Sequence, residues 1–367
     1  MARLPLAARI VLALACAAAP AARAEDPVVR GADVSMLLEL EKAGAIYRDR
    51  GRPRDPVLIL RDRGVNLFRL RLFVDPAKAY SACWGATQDL GAVRALARRI
   101  RSAGAAWLLD LHYSDTWADP AHQTKPASWK DLDFPALEKR VETYTADVVA
   151  DLKRDGLLPR WVQIGNEITP GFLWPDGKVA GAADPEAAWG RFARLLRAGL
   201  RGARRPLARD DLVRLLIHID RGGDAKAVRW FFDNLARREV AGFDLIGLSY
   251  YPWWHGSLDD LKQALQAAAT YGKGVVVVET AYPHRDESLW SKQNNMAWPV
   301  TPEGQKRFLE DVLAAVRATP GGLGRGVVYW YPEAIPVKSL EIWNGGTTAL
   351  FGADGEPLPA LEAFAPR

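Results

Sequence analysis

Eight short apolar or β-branched runs, most of them followed by a stretch with apolar residues at three- and four-residue spacing, predict an α/β protein: a single (β/α)8 TIM barrel with enlarged βα loops. The length agrees, since 367 residues that are 49% hydrophobic and 25% charged can bury one large core and are not disordered. No Ser/Gly linker marks a second domain. The G-x-G-x-x-G and G-K-S/T patterns that would give an open doubly wound sheet a function do not occur either.

The first 24 residues stand apart. Met1 to Ala24 has an Arg-containing start, an apolar run from Ile10 to about Ala19, and Ala22-Arg23-Ala24 as a small-x-small cleavage site. This is the pattern of a secretory signal peptide, so residues 1–24 are expected to be removed and residues 25–367 to form the barrel domain, in the periplasm or outside the cell. The apolar run is shorter than the about 20 residues a spanning helix needs, and no later segment supplies one, so no membrane span is expected. Ala13-Leu14-Ala15-Cys16 is a weaker match to a lipid-anchoring box. After cleavage Cys83 is the lone thiol, with no disulfide partner and no cationic neighbour in sequence, and is expected to be a bystander.

The barrel elements follow in order. Val29 to Val34 is the first strand and Asn66 to Phe73 the second, with Arg69 and Arg71 on one face by their spacing of two. A helical stripe from Leu90 to Ser102 leads to the third strand, Ala106 to His112. Leu137 to Leu152 is the next helix and Trp161 to Glu167 the fourth strand. Asp184-Pro185 places a cap and a proline at the start of the helix Pro185 to Leu200. The strand Leu212 to Ile219, the helix Ala225 to Arg238, the strand Leu245 to Tyr250 and the helix Leu258 to Tyr271 come next. Gly274 to Glu279, with four consecutive valines, is the seventh strand. Thr301-Pro302 opens the helix Pro302 to Ala318, and Gly326 to Tyr331 closes the barrel.

Charge and composition narrow the function. The net charge is +5, but Arg3, Arg9 and Arg23 precede any acid, and without them 46 basic residues face 44 acidic ones. That balance excludes a phosphate-tracking surface, so nucleic acid is not an expected partner. Fourteen Trp, all beyond residue 83, against 3 Met and 5 His suggest flat, neutral ligands.

Function in such a barrel sits at the C-terminal ends of the strands. Here those ends read Asp33, Arg69 and Arg71, His112, Asn166 and Glu167, His218, Tyr250 and Tyr251, Glu279, and Trp330. Each has an ordinary reading alone, as a cap or a packed rim. Two glutamates on strands four and seven, both following apolar runs, with an arginine pair on strand two, are harder to explain that way. Burial raises a carboxyl pKa and a neighbouring cation lowers it. Two like groups thereby take two roles, as hydrolysis of a glycosidic bond requires: an acid for the leaving oxygen and a carboxylate to attack or to activate water.

Longer segments around these strand ends match a known pattern. The matching segments are Gly31-Ala32-Asp33-Val34-Ser35, Gly64-Val65-Asn66 through Arg69-Leu70-Arg71, and His112-Tyr113-Ser114-Asp115 with Trp117-Ala118-Asp119-Pro120. Gln163 through Asn166-Glu167 to Thr169, Ser249-Tyr250-Tyr251-Pro252-Trp253-Trp254, Val278-Glu279-Thr280-Ala281-Tyr282, and Ala349-Leu350-Phe351 before Asp354-Gly355 complete them. Through these segments the chain resembles the family 53 endo-β-1,4-galactanases, within the large clan of retaining glycosidases on this barrel, and the resemblance implies Glu167 as acid/base and Glu279 as nucleophile, with Asn166 on the sugar 2-hydroxyl. It also implies Arg69, ahead of Arg71, as the brace of Glu279, and Tyr250 or Tyr251 as its hydrogen-bond donor. His112 and His218 are expected sugar contacts or supports, and Asp33 and Asp115 join the substrate-binding set. Trp253, Trp254, Trp330 and Trp343 are candidate stacking platforms for galactose, one of the adjacent pair facing the cleft and the other packing beneath.

The expected partner is therefore a polysaccharide, β-1,4-galactan or arabinogalactan, cut by a monomer with no cofactor. Some bacterial relatives carry calcium after strand seven, but only Asp286 and Glu287 lie together in the compact 283–302 segment, so no metal is expected. The catalytic pair alone also fits a mannanase or cellulase of the same clan. An inactive exported glycan-binding protein is disfavoured by the intact pair and Asn166. A metal-dependent barrel hydrolase is disfavoured by the scattered His112, His122, His218, His255 and His284.

Overall fold

The computed structural model describes residues 28–76, 87–286, 290 and 292–365; the expected leader, with Cys16, and Cys83 lie outside the described residues. Eight parallel strands form a closed barrel: β1 Val29–Asp33, β2 Leu67–Leu72, β3 Ala106–Leu111, β4 Trp161–Ile164, β5 Arg214–Ile219, β6 Leu245–Tyr250, β7 Gly274–Thr280 and β8 Gly324–Trp330. Each strand pairs with the next in the chain, and β8 closes on β1 from Val29↔Gly326 to Asp33↔Trp330. Around it lie α1 Leu37–Lys42, α2 Pro56–Asp62, α3 Leu90–Ser102, α4 Phe134–Arg154, α5 Pro185–Arg204, α6 Ala225–Arg237, α7 Pro252–His255, α8 Leu258–Ala269 and α9 Pro302–Arg317. No helix among the described residues is long and apolar enough to cross a membrane.

Local chemistry sets the boundaries. Asp184 and Thr301 cap α5 and α9 through their side chains, with proline in the first turn of each. Asp133 does the same for α4, accepting from the Ala136 N–H, so that helix starts at Phe134 and not at Leu137. β4 stops at Ile164, short of the expected Glu167, because Gly165 (φ +79°) and Glu167 (φ +48°) turn left-handed and leave the ladder. β5 starts at Arg214, not Leu212, whose side chain is 71% exposed. The short helices α1, α2 and α7 were not expected, being too brief for a helical period to register.

The period of two along each strand divides the barrel into an outer and an inner set. Phe68, Leu70 and Leu72 of β2 and Leu215, Ile217 and Ile219 of β5 face outward into the main core with the helices. The inner set begins apolar: Val29, Leu67, Leu108, Trp161, Leu216, Leu245, Val276 and Val328 pack together. Two residues further on, at the same parity, β2 to β5 turn polar with Arg69, Asp110, Gln163 and His218, all fully buried. β7 needs an extra device. Its register slips against both neighbours around Val278 and Glu279, a bulge that lets Glu279 join Val278 in facing the interior.

This layering gives a stability test. Leu108→Ala, in the packed inner layer, should lower the free energy of unfolding by about 2 to 5 kcal/mol in urea titrations, whereas Leu212→Ala should stay within about 0.5 kcal/mol of the parent.

Candidate active site

The polar layer is organised by the Arg69 guanidinium, which is fully buried. It contacts Glu279 at 2.6 Å, Asp110 at 2.8 Å and Asp33 at 2.9 Å. It also donates to Asn166 Oδ1 at 2.8 Å and to Gln163 Oε1 at 3.3 Å. Burial disfavours its charge, but Asp110, Glu279 and Asp33 outweigh that and push its pKa further up. Glu279 is thus held against a permanent cation, and its other oxygen accepts from the Tyr251 hydroxyl at 3.2 Å.

Glu167 has different surroundings. Its carboxylate accepts from the Ser249 hydroxyl at 2.5 Å, and Ser249 Oγ lies 2.8 Å from His218 Nε2. His218 Nδ1 lies 2.9 Å from Asn166 Oδ1 and accepts the Glu167 backbone N–H at 3.4 Å. Asn166 donates through Nδ2 to the Ala118 carbonyl at 2.8 Å. Burial, then the charges of Glu279 and Asp220, push the Glu167 carboxyl well above the ordinary range. Burial raises Glu279 as well, but Arg69 pulls it the other way. Both carboxyls are shifted upward, Glu167 the further of the two. His218, disfavoured as a cation by burial and by Arg69, stays neutral. One oxygen of Glu167 and one of Glu279 lie within 4.8 Å of each other.

Above the pair opens a cleft of about 860 Å³, lined by both glutamates, Asn166, His112, Arg71, Tyr251 and a ring wall. Tyr331 stacks on Trp330 at 4.5 Å and 13°, and Trp343 meets Trp330 edge-on at 5.2 Å. The Arg71 guanidinium lies 4.1 Å from the Trp117 ring centre, and its three nitrogens find no hydrogen-bond partner among the described residues. His112 accepts the Ala118 N–H at Nδ1, 3.0 Å, which leaves the proton on Nε2 for Asp110 at 3.0 Å.

Several expected sugar contacts are placed elsewhere. Tyr250 has the outward parity of β6; its ring stacks near Phe308, its hydroxyl donates to the Gly256 carbonyl, and Tyr251 holds Glu279 instead. Asp115 accepts the Asp75 and Ala127 N–H groups and pins loops beside the cleft. Asp33, Arg69 and His218 are fully buried beneath the cleft and do not line it. Trp253 is 7% exposed and packs on Trp290 at 4.7 Å, whereas Trp254, 62% exposed, lines the cleft. Trp330 and Trp343 line it too. Unanticipated participants are Asp110, Gln163, Ser249, Trp117, Asp220 and Tyr331. Strand parity locates three of them: Asp110 precedes His112 by two, Gln163 shares the face of Trp161, and Ser249 that of Leu245. Trp117 lies in the matching Trp117-Ala118-Asp119-Pro120 segment and Tyr331 ends the expected eighth strand, whereas Asp220 carries no comparable signal.

Glu167, His218 and Glu279 bring ligand-type atoms within 4.8 Å of one another. Arg69 already supplies the cation at Glu279, and His218 is engaged at Nδ1 by the Glu167 backbone N–H and at Nε2 by Ser249, so this donor set suits proton transfer and not a metal ion. Asp286 is exposed, and Glu287 lies outside the described residues.

Residues 29–364 match the sequence profile of glycosyl hydrolase family 53. An arabinogalactan endo-β-1,4-galactanase of Cellvibrio japonicus is 35% identical over 354 residues, covering 93% of this chain and 90% of the relative. A Niallia circulans protein described as uncharacterized, from the bgaB 5' region, is 42% identical over 357 residues, covering 93% and 94%. The solved family 53 catalytic domain from Ignisphaera aggregans has a TM-score of 0.83 at 32% identity, over 92% of this chain and 95% of that one. A profile spanning the whole barrel, relatives matched almost end to end and a solved member of the same fold place the glutamate pair in a known setting: the chain belongs to glycosyl hydrolase family 53 and is a glycoside hydrolase.

Proposed function

We propose that this hydrolase is an endo-β-1,4-galactanase that cuts galactan or arabinogalactan with retention of anomeric configuration, Glu279 as nucleophile and Glu167 as acid/base. The observation that carries the reading is the pair itself: two carboxylates with oxygens within 4.8 Å, one against Arg69 and the other shifted the further upward. Separations of about 5 Å belong to retaining enzymes, and inverting ones need about 6.5 to 9.5 Å to seat a water. The named activity of the Cellvibrio japonicus relative supports galactan as the polymer.

In the first step a Glu279 oxygen attacks the anomeric carbon while Glu167 gives its proton to the departing glycosidic oxygen, leaving a galactosyl ester on Glu279. In the second, Glu167, now ionised, takes a proton from water. The water oxygen then bonds to the anomeric carbon and Glu279 leaves as a carboxylate. On this reading Asn166, held by Arg69 and Ala118, meets the sugar 2-hydroxyl and Arg71 other hydroxyls, while His112, with both ring nitrogens engaged by Ala118 and Asp110, supports the floor of the cleft. The proposal extends to export: Met1 to Ala24 is removed and the mature monomer starts near Glu25, which N-terminal sequencing of the secreted protein checks.

Three results are expected. Glu167→Gln and Glu279→Gln should each lower kcat on β-1,4-galactan by about 100- to 10,000-fold, with the β-anomer appearing first in NMR of wild-type digests. First release of the α-anomer, or hydrolysis of mannan or cellulose in place of galactan, would overturn the reading. The pH profile tests the Ser249 bond, which stabilises ionised Glu167. Ser249→Ala should raise the Glu167 pKa and shift the alkaline limb of kcat/KM to higher pH, Ser249→Thr should restore it, and Asp220→Asn, removing a neighbouring negative charge, should shift it lower. Finally, Trp254→Ala should weaken polymer hydrolysis by about 1 kcal/mol with little change in melting temperature. Trp253→Ala should lower the melting temperature instead.

A further inference from the structure

Beside the cleft lies a second depression of about 410 Å³. Its lining begins with Thr169 and Pro170, on the same loop as Glu167, and continues along the start of α6 with Lys226, Ala227 and Trp230. Arg221 lines both this depression and the cleft. The ridge between them is a single pinned structure, because Thr169 Oγ1 accepts the Asp220 N–H at 3.3 Å and so ties the loop after β4 to the end of β5.

Trp230 is the feature that needs a reason. It is 43% exposed, one of the few large apolar side chains left to water. Its orientation is set from behind by Trp189, edge-on at 5.1 Å and 75°. The ring is thus braced by Trp189 and partly open to water, and Arg221, which also pairs with Asp220 at 3.5 Å, lines the same hollow with Lys226 and Asp224. Apolar plate plus nearby donors is the recognition chemistry of a pyranose, whose C–H face stacks and whose hydroxyls accept.

We infer that this depression is a distal binding site for the leaving-group side of the same galactan chain. The inference rests on the galactanase reading, in which Glu167 protonates the departing oxygen, so the leaving chain exits past Glu167. The depression begins on Glu167's own loop, and Arg221 links it continuously to the cleft. The ring wall of Trp330, Tyr331 and Trp343 stands on the β8 side, where it serves the sugars that precede the cleaved bond. A polymer long enough to cross the ridge gains contacts that a trisaccharide does not.

The test compares kcat/KM on β-1,4-galactan with kcat/KM on galactotriose, using the full chain. Trp230→Ala should lower the polymer-to-trimer ratio about three- to tenfold, the size of one ring-stacking contact, and Trp230→Phe should restore most of it. A ratio within twofold of wild type overturns the inference. Equal losses on both substrates with a lower melting temperature overturn it as well, since they mark Trp230 as a packing residue of the α5–α6 surface. If the wild-type protein cleaves no galactan at all, the substrate reading fails, and that result is seen before any variant is made.

Discussion

A guanidinium sealed inside a barrel must have its charge and its donors answered there, and meeting that requirement at Arg69 arranges the rest of the site. Stripping water from an isolated ion costs several kcal/mol even after relaxation. Arg69 recovers this from Asp33 on β1, Asp110 on β3, Gln163 and Asn166 on and just past β4, and Glu279 on β7. Four strands are therefore held to one planar group from a fifth, and the two residues that matter most, Asn166 and Glu279, are fixed by its geometry. Loss of the arginine would leave three buried carboxylates facing one another, so the constraint is electrostatic before it is catalytic.

The same cation separates the roles of two chemically identical side chains. Both glutamates are pushed toward neutrality by burial, but only Glu279 touches Arg69, while Glu167 faces Ser249 and the negative charges of Glu279 and Asp220. Each thus favours protonation of the other carboxyl, and Arg69 offsets that push at Glu279 alone. The cleft above is built on different principles. Its rings provide area and its arginine provides donors: Arg71 lies over Trp117 and 3.6 Å from Asp33, with no hydrogen-bond partner for its three nitrogens among the described residues.

The barrel was legible because its signals are periodic. Apolar runs of strand length alternate with helical stripes, and every barrel strand lies within two or three residues of its expected place. Glu167 and Glu279 were legible because strand ends in this fold are where chemistry collects. What stayed hidden depends on a single residue of register. Tyr250 and Tyr251 are adjacent, and only parity, read from Leu248 and Ser249 before them, assigns the outward face to Tyr250. The bulge that turns Glu279 inward leaves no mark in a run of four valines. Trp253 and Trp254 likewise differ only in the turn taken by α7. Asp33 and His218 showed their polarity but not their depth, because the inner layer turns polar below the cleft as well as at it.

Glu167 sits in a left-handed backbone conformation, φ +48°, that a side chain with a Cβ adopts at a cost of about 1 to 3 kcal/mol. Glycine carries no such cost and asparagine a smaller one, and both would also remove an acid from beside Glu279 and Asp220. At this one codon, selection for heat resistance and selection for turnover pull in opposite directions. On the proposed two-glutamate reading, position 167 is where backbone strain and acid chemistry ask for different residues.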